Sequence, residues 1–423
     1  MAAPSQIERM LRPRLLDALA DSPVVLVHGP RQCGKTTLAR MVGEPMGYAY
    51  ISFDDDVLRA SAQSDPVGFV ADLPDKVVLD EVQRVPELFT SIKAAVDAKR
   101  KPGRFLLTGS ANVLLLPRLS DSLAGRLAIL RLHPLAQAEL ATRPPQFLDA
   151  LFAADIKAGQ HARLGPELAA RVVAGGYPAA LSRASARRRA AWYQDYVETL
   201  VQRDVRDLAR ISTLDALPRL LTLAAGQTAR LINVADLAAP FHLSRPTIRD
   251  YVTLLARLFL LEELPPWHNN RLSRLIKTPK LHLGDTGVAC ALLGIDATTL
   301  AADRSLLGQL LETFVFQELR RQASWQEEAI AFYHFRDKED AEVYIVLERG
   351  GRQVVGIEVK ASATVTAADF RGLRKLRDAS GQKFRAGVVL YDGENTTSFG
   401  EQLQALPLRR LWEAGARRQA PRT

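Results

Sequence analysis

Only two cysteines occur in the 423 residues, Cys33 and Cys290. Two thiols are too few for a disulfide framework or a cysteine zinc site. No apolar run approaches the ~18 residues that span a bilayer, which argues against a membrane helix. Met1 to Arg14 interleaves Glu8, Arg9, Arg12 and Arg14 and lacks the apolar stretch of a secretory signal. No internal repeat of fixed period is present, which argues against solenoids and propellers. These absences predict a reduced, cytoplasmic protein with no membrane partner.

What remains is ordinary globular material, 47% apolar and 24% charged, which excludes wholesale disorder. The length exceeds one core and predicts two or three domains. The net charge of +9 permits nucleic acid as a partner. Two basic clusters, Arg187-Arg188-Arg189 and the tail from Arg409, read equally well as solvated surface.

The most informative stretch is Gly29-Pro30-Arg31-Gln32-Cys33-Gly34-Lys35-Thr36, which has the spacing of a phosphate-binding loop. The apolar run Val24–Val27 before it reads as a buried strand, and Thr37–Val42 after it as the start of a helix. Glycines let backbone N–H groups curl round a phosphate, and the helix N-terminus adds its positive dipole end. Gly29 to Thr37 is therefore the expected ATP cradle. Lys35 is expected to reach the β- and γ-phosphates, Thr36 to ligate Mg²⁺, and Cys33 to act as a small neutral filler.

Val77-Val78-Leu79-Asp80-Glu81 is an apolar strand ending in two acids. Asp80 is the candidate Mg²⁺ ligand, and Glu81 the base that activates the attacking water. Arg104–Ser110 is another apolar strand, ending in small hydroxylic residues. Thr108, Ser110 and Asn112 are candidate sensors of the γ-phosphate, or an ordinary turn cluster. Arg126, in Ser122-Leu123-Ala124-Gly125-Arg126, is a candidate arginine finger, in cis or for a neighbouring subunit, or a partner for a surface acid. Asp54-Asp55-Asp56 follows the strand Tyr48–Phe53 and is expected to cap the next helix. Ile7–Ala20 has helical spacing and reads as a lead helix.

These motifs, with Asp80-Glu81-Val82-Gln83 and Leu106-Leu107-Thr108-Gly109-Ser110, resemble a prokaryotic family of AAA-type ATPases in which a small ATPase module precedes a domain of unknown function. The resemblance covers nearly the whole chain. It implies an α/β fold with a five-stranded parallel core and helices on both faces. The turn Gly175-Gly176-Tyr177-Pro178 and the pair Arg203-Asp204 also resemble that family's pattern.

Farther along, Arg187–Ile211 reads as a long amphipathic helix whose aromatic residues belong to a core. Residues 233–264 read as helix, turn, helix, with Asn233 and Ser244 as caps. With Leu260–Leu264 and Lys280–Leu283 as a wing hairpin, this predicts a winged helix-turn-helix. Arg245, Thr247 and Arg249 are then candidate DNA contacts. In the last third, a helix carrying Glu312 and Glu318 precedes the strands 331–336, 341–348 and 354–360. This order resembles the PD-(D/E)XK nuclease core, with Glu358 and Lys360 on one strand face. The expected metal-binding aspartate is replaced by Tyr344, and a phenol with an ordinary pKa of ~10 is a poor ligand for a hard cation. Glu342 faces away unless a bulge intervenes, and Asp340 falls near a turn. The nuclease-like site of Glu312, Tyr344, Glu358 and Lys360 is therefore read as degenerate.

The expected organisation is an ATPase at 1–135, a helical linker at 136–215, a winged helix at 216–300, a nuclease-like domain at 301–415 and a disordered tail at 416–423. The expected function is a Mg²⁺-dependent ATPase coupling nucleotide state to DNA binding, with ATP and ADP as ligands and homo-oligomerisation. The alternatives are an ATP-gated protein-interaction switch and an ATP-dependent nuclease.

Overall fold

The computed structural model describes residues 7–110, 123, 125–142, 146–204 (without the side chains of 203 and 204), 216–269 and 278–413. Asn112 and the tail 416–423, both named above, lie outside these residues, as do the side chains of Arg203 and Asp204. The chain divides into two compact units. The first comprises 1–135 with the short segments 177–179 and 257–259. The second comprises the rest, so that 136–215, 216–300 and 301–415 all contribute to it.

The first unit is built on a five-stranded sheet of β1 (Val24–His28), β2 (Ala49–Ser52), β3 (Val77–Asp80), β4 (Phe105–Gly109) and β5 (Leu127–Arg131). The strand order is β2-β3-β4-β1-β5 and every pairing is parallel. β1 and β4 are buried along their whole length. Parallel strands covered on both faces read as continuous apolar runs, which is why Val24–Val27 shows no alternation. The side chains of Val77, Leu79, Phe105 and Leu107 join one cluster with Leu88, Phe89, Ile92 and Val96 of helix α5 (Leu88–Ala98; α1 to α4 are Arg12–Asp21, Lys35–Gly43, Asp56–Ser64 and Pro66–Ala71). Val78, pointing the other way, meets α2 at Gly43. Helices thus cover both faces, and truncating a fully buried residue such as Leu26 would cost about 2–5 kcal/mol.

The lead helix is shorter than its periodicity suggests. It runs Arg12–Asp21, with Pro13 in the first turn. Proline is preorganised for a helix start and lacks the N–H that a preceding turn would need, so residues before Arg12 stay outside the helix. Asp55 caps α3, accepting from Val57 N and Leu58 N at 2.8 and 3.1 Å.

In the second unit, helix Ala186–Thr199 buries Tyr193 and Tyr196, and its last turn passes into a π-helical stretch, Leu200–Asp204. Asn233 accepts from Ala235 N and Asp236 N ahead of helix Val234–Ala238. Ser244 Oγ accepts from Thr247 N ahead of helix Arg245–Arg257. A small sheet follows, ordered β6-β8-β7, from β6 (Arg230–Leu231), β7 (Leu261–Leu264) and β8 (Lys280–Leu283). The last sheet is mixed: β9 (Ile330–Arg336), β10 (Glu342–Arg349), β11 (Gln353–Lys360), β12 (Phe384–Tyr391), β13 (Thr397–Ser398) and β14 (Leu403–Pro407). Its order is β13-β14-β12-β11-β10-β9, with parallel pairing only for β11–β12 and β12–β14. Helix Arg304–Ala323 and helix Arg371–Ser380 both contribute residues beside it. Among the described residues no helix is long and apolar enough to cross a membrane.

Candidate nucleotide site

The loop after β1 has the backbone that its glycines allow. Gly29 and Gly34 adopt φ of +154° and +101°. A Cβ on Gly29 would lie 2.0 Å from the Leu132 carbonyl oxygen, so no larger residue fits. Cys33 is buried and its thiol donates to that same carbonyl at 3.4 Å, as a filler would. Arg9, ahead of α1, fastens the loop from outside. Its guanidinium donates to Cys33 O and to His133 O, each at 2.7 Å. Lys35 begins α2, is buried, and donates to Pro30 O at 2.8 Å. Arg31 is half-buried, and Gln32 and Thr37 are exposed.

β3 and β4 carry their polar ends to the same place. Thr36 donates to both oxygens of Asp80, at 3.1 and 3.0 Å. Tyr50, from β2, donates to Asp80 Oδ2 at 2.7 Å, and Thr108 donates to Asp80 Oδ1. One buried carboxylate thus gathers three hydroxyls. Oxygen donors of this kind suit a hard divalent cation, which Thr36 and Asp80 could hold.

Glu81 follows with φ of +59°, a conformation costly for a residue with a side chain. Its N–H donates to Thr108 Oγ1 at 3.2 Å. Its carboxylate accepts from Ser110 Oγ at 2.7 Å and from the Gln83 amide. Burial alone would raise the Glu81 pKa. The charge of Lys35, the Ser110 and Gln83 hydrogen bonds and the charge of Arg31 outweigh it and hold the carboxyl below its ordinary value. His28, at the end of β1, is pushed down to about 3, first by burial and then by Arg131 and Lys35.

The structure therefore brings together Lys35, Thr36, Asp80, Glu81, Thr108 and Ser110. Arg126 it does not. Arg126 precedes β5, so it lies at the opposite end of the parallel sheet from the loop, about 16 Å away along a five-residue strand. There it pairs with Asp97 at 2.5 Å. A role in cis is thereby excluded. Gln83, Tyr50 and Arg9 were missed as site residues. Gln83 stands within the quoted motif, but Tyr50 and Arg9 reach the site only through sheet order and chain reversal, which leave no local signature.

The residues singled out in the second unit fall in separate places. Arg245 and Arg249 are exposed on the first turns of their helix, and Thr247 shares a 2.8 Å hydrogen bond with Ser244. Glu318 is not beside Glu312. It accepts from Gln137 N at 2.9 Å and from Arg321 at 2.7 Å, in a buried network with Asp285. Lys360 pairs with Asp369 at 3.1 Å. Asp340 lies in the β9–β10 turn and pairs with Arg336. The expectation that Glu342 faces away is corrected: Glu342 and Tyr344 are two residues apart on β10, and the two-residue alternation of a strand puts them on one face. Glu342 and Glu312 share one partner, Lys280, whose ammonium also lies 4.7 Å from the centre of the Tyr344 ring. Burial, then the surrounding glutamates, pushes the Tyr344 phenol well above its ordinary range. Among the described residues no group of three His, Cys, Asp or Glu side chains is arranged to hold a metal ion.

Residues 21–141 match the model of an AAA domain, 165–299 a domain of unknown function (DUF8612), and 307–411 another (DUF4143). An uncharacterized protein of Mycobacterium tuberculosis is 30% identical over 405 residues, spanning 95% of this chain and 84% of that one. A Mycobacterium bovis protein matches to the same extent. Among solved structures, a Walker-type ATPase of Pyrococcus abyssi is 18% identical, with a TM-score of 0.43 over 68% of this chain and 96% of that one. The phosphate loop and the acids of β3 lie within the stretch that matches the AAA domain. The chain belongs to a prokaryotic family of AAA-type P-loop ATPases with a C-terminal domain of unknown function.

Proposed function

We propose that the protein hydrolyses ATP at the Gly29–Thr37 loop and that its nucleotide state controls binding of DNA by the second unit. The observation that carries the hydrolytic part is the meeting of Thr36 and Asp80 at 3.0 Å with Glu81 as the next residue. In this reading Lys35 exchanges the Pro30 carbonyl for the β- and γ-phosphate oxygens. Mg²⁺, held by Thr36 and Asp80, neutralises phosphate charge when bound. Glu81 accepts a proton from water as the water oxygen bonds to the γ-phosphorus and the bond to the β–γ bridging oxygen breaks. Ser110 and Thr108, which touch Glu81 and Asp80, sense whether the γ-phosphate is present. Arg126, too far from its own loop, serves the site of a neighbouring copy.

DNA is the favoured partner because of the net charge of +9 and the exposed Arg245 and Arg249 at the front of a capped helix. The test is the ATPase rate with and without duplex DNA, beside DNA affinity over a salt series. The reading expects stimulation by DNA and affinity that falls steeply with salt, because phosphate contacts release counterions. Hydrolysis indifferent to DNA, with no salt-dependent binding, would contradict the DNA role and favour a switch acting on another protein.

A further inference from the structure

Asp80 receives its three hydroxyls from different parts of the first unit. Thr36 belongs to α2 and Thr108 to β4. The third comes from Tyr50 on β2, the edge strand of the sheet. Tyr50 is in register with Val78, and Val78 and Asp80 share one face of β3 by the two-residue period. The phenol therefore crosses to the next strand and advances two residues to donate to Asp80 Oδ2 at 2.7 Å. Aromatic side chains span such a diagonal, and short ones do not.

The ring is held in this pose from above. Arg40 on α2 places its guanidinium carbon 5.1 Å from the ring centre, and Arg40 is itself paired with Glu44 at 2.7 Å. Tyr50 is nonetheless 37% exposed, against 3% for Asp80. Without the phenol oxygen, water could take its place on Oδ2, but water has no covalent anchor to fix its direction.

The other two hydroxyls have further duties. Thr36 is the residue that could hold the cation beside Asp80, and Thr108 Oγ1 also accepts from Glu81 N at 3.2 Å. Tyr50 belongs to neither the phosphate loop nor the Glu81 network, so its bond to Asp80 need not change when nucleotide enters. A carboxylate that serves a cation is aimed by the donors around it. Losing one such outer partner costs roughly 10–100-fold in metal affinity.

We infer that Tyr50 is a positioning residue for the cation of the nucleotide site: its hydroxyl keeps the Asp80 carboxylate turned toward Thr36 and so sets how tightly Mg²⁺ joins the bound nucleotide, an inference that rests on the ATPase reading. A residue of the edge strand, outside both sequence motifs, then governs the Mg²⁺ requirement while taking no part in holding the phosphates.

The experiment measures binding of a fluorescent, non-hydrolysable ATP analogue to the full chain, in chelator and across a Mg²⁺ series, for wild type, Tyr50→Phe and Tyr50→Leu, with urea unfolding of each. Tyr50→Phe keeps the ring under Arg40 and removes only the hydroxyl. Its half-saturating Mg²⁺ concentration is expected to rise about tenfold, with affinity in chelator unchanged. Tyr50→Leu should show the same Mg²⁺ shift and, in addition, a lower urea midpoint from loss of the ring. An unchanged Mg²⁺ midpoint in Tyr50→Phe overturns the inference, whatever Tyr50→Leu does. So does an equal loss of analogue affinity with and without Mg²⁺, which is what a purely structural role would produce. In both cases a wild type whose binding responds to Mg²⁺ leaves the ATPase reading standing. A wild type that binds the analogue in neither condition overturns that reading, and the inference with it.

Discussion

The Thr36 hydroxyl donates to Asp80 Oδ2 across 3.0 Å, joining the start of α2 to the end of β3. Both sit at the C-terminal ends of parallel strands, where open α/β sheets leave their ligand crevice. The contact requires β3 and β1 to be separated by one strand, β4, whose Thr108 fills the gap and bonds to Asp80. A site spread over three strands in this way responds to changes outside the loop itself.

Arg9→Ala is the first such change. Its guanidinium bridges Cys33 O and His133 O, and hydrogen bonds from a charged group contribute about 1.5–3 kcal/mol each. The expected result is ATP affinity weakened about tenfold, or about 1.4 kcal/mol, with a lower unfolding midpoint. Arg9→Lys should not rescue it, because an ammonium lacks the fork that spans two carbonyls. Fluorescent-nucleotide titration checks both variants.

Gly175→Ala tests the Gly175-Gly176-Tyr177-Pro178 turn. Gly175 has φ of +64°, and a Cβ there would lie 2.2 Å from Asp285 Oδ1 and 2.3 Å from Tyr193 Oη. Asp285 is already bonded to Gly176 N, Gly287 N and Arg321, so it cannot step aside. The expected cost is at least about 3 kcal/mol, read as a lowered urea midpoint or as insoluble protein. Wild-type stability would contradict the packing described.

Three buried histidines weaken the fold on mild acidification, against the buried Glu312, Glu318 and Glu358, whose raised pKa values favour the folded state in acid. His28 and His334 are held down to about 3 and about 4, and His282 well below its ordinary 6.5, in each case chiefly by burial. The unfolded chain therefore takes up protons near pH 6.5 that the folded chain refuses. This stability is fully present above pH 6.5 and is lost as pH drops from 6.5 toward those lower values. Each histidine contributes a slope of up to about 1.4 kcal/mol per pH unit. Urea unfolding at pH 7 and pH 5 should show His28→Gln less weakened by acid than wild type.

Much of the first unit was legible because its signals are local. The Gly29–Thr36 spacing, the apolar run of β1 and the Asp80-Glu81 pair each lie within one short segment. The position of Arg126 was not legible, because following a turn in sequence says nothing of which end of the sheet that turn occupies. Strand direction decided it, and β5 is parallel to β1. In the second unit, the expected orientation of Glu342 was wrong because residues two apart on a strand share a face, as Glu342 and Tyr344 do at Lys280. Lys280 read as one residue of a wing strand. Its partners are supplied by a helix and a strand remote in sequence, a relation that only tertiary packing creates.

The most direct test of the account is Glu81→Gln, measured for both ATP binding and ATP hydrolysis. The substitution keeps the shape and a hydrogen-bonding group for Ser110, but removes the carboxylate that accepts the proton. The account predicts ATP affinity within a few fold of wild type and Mg²⁺-dependent hydrolysis reduced by about 10²-fold or more. Hydrolysis at the wild-type rate in a variant that still binds ATP would contradict it.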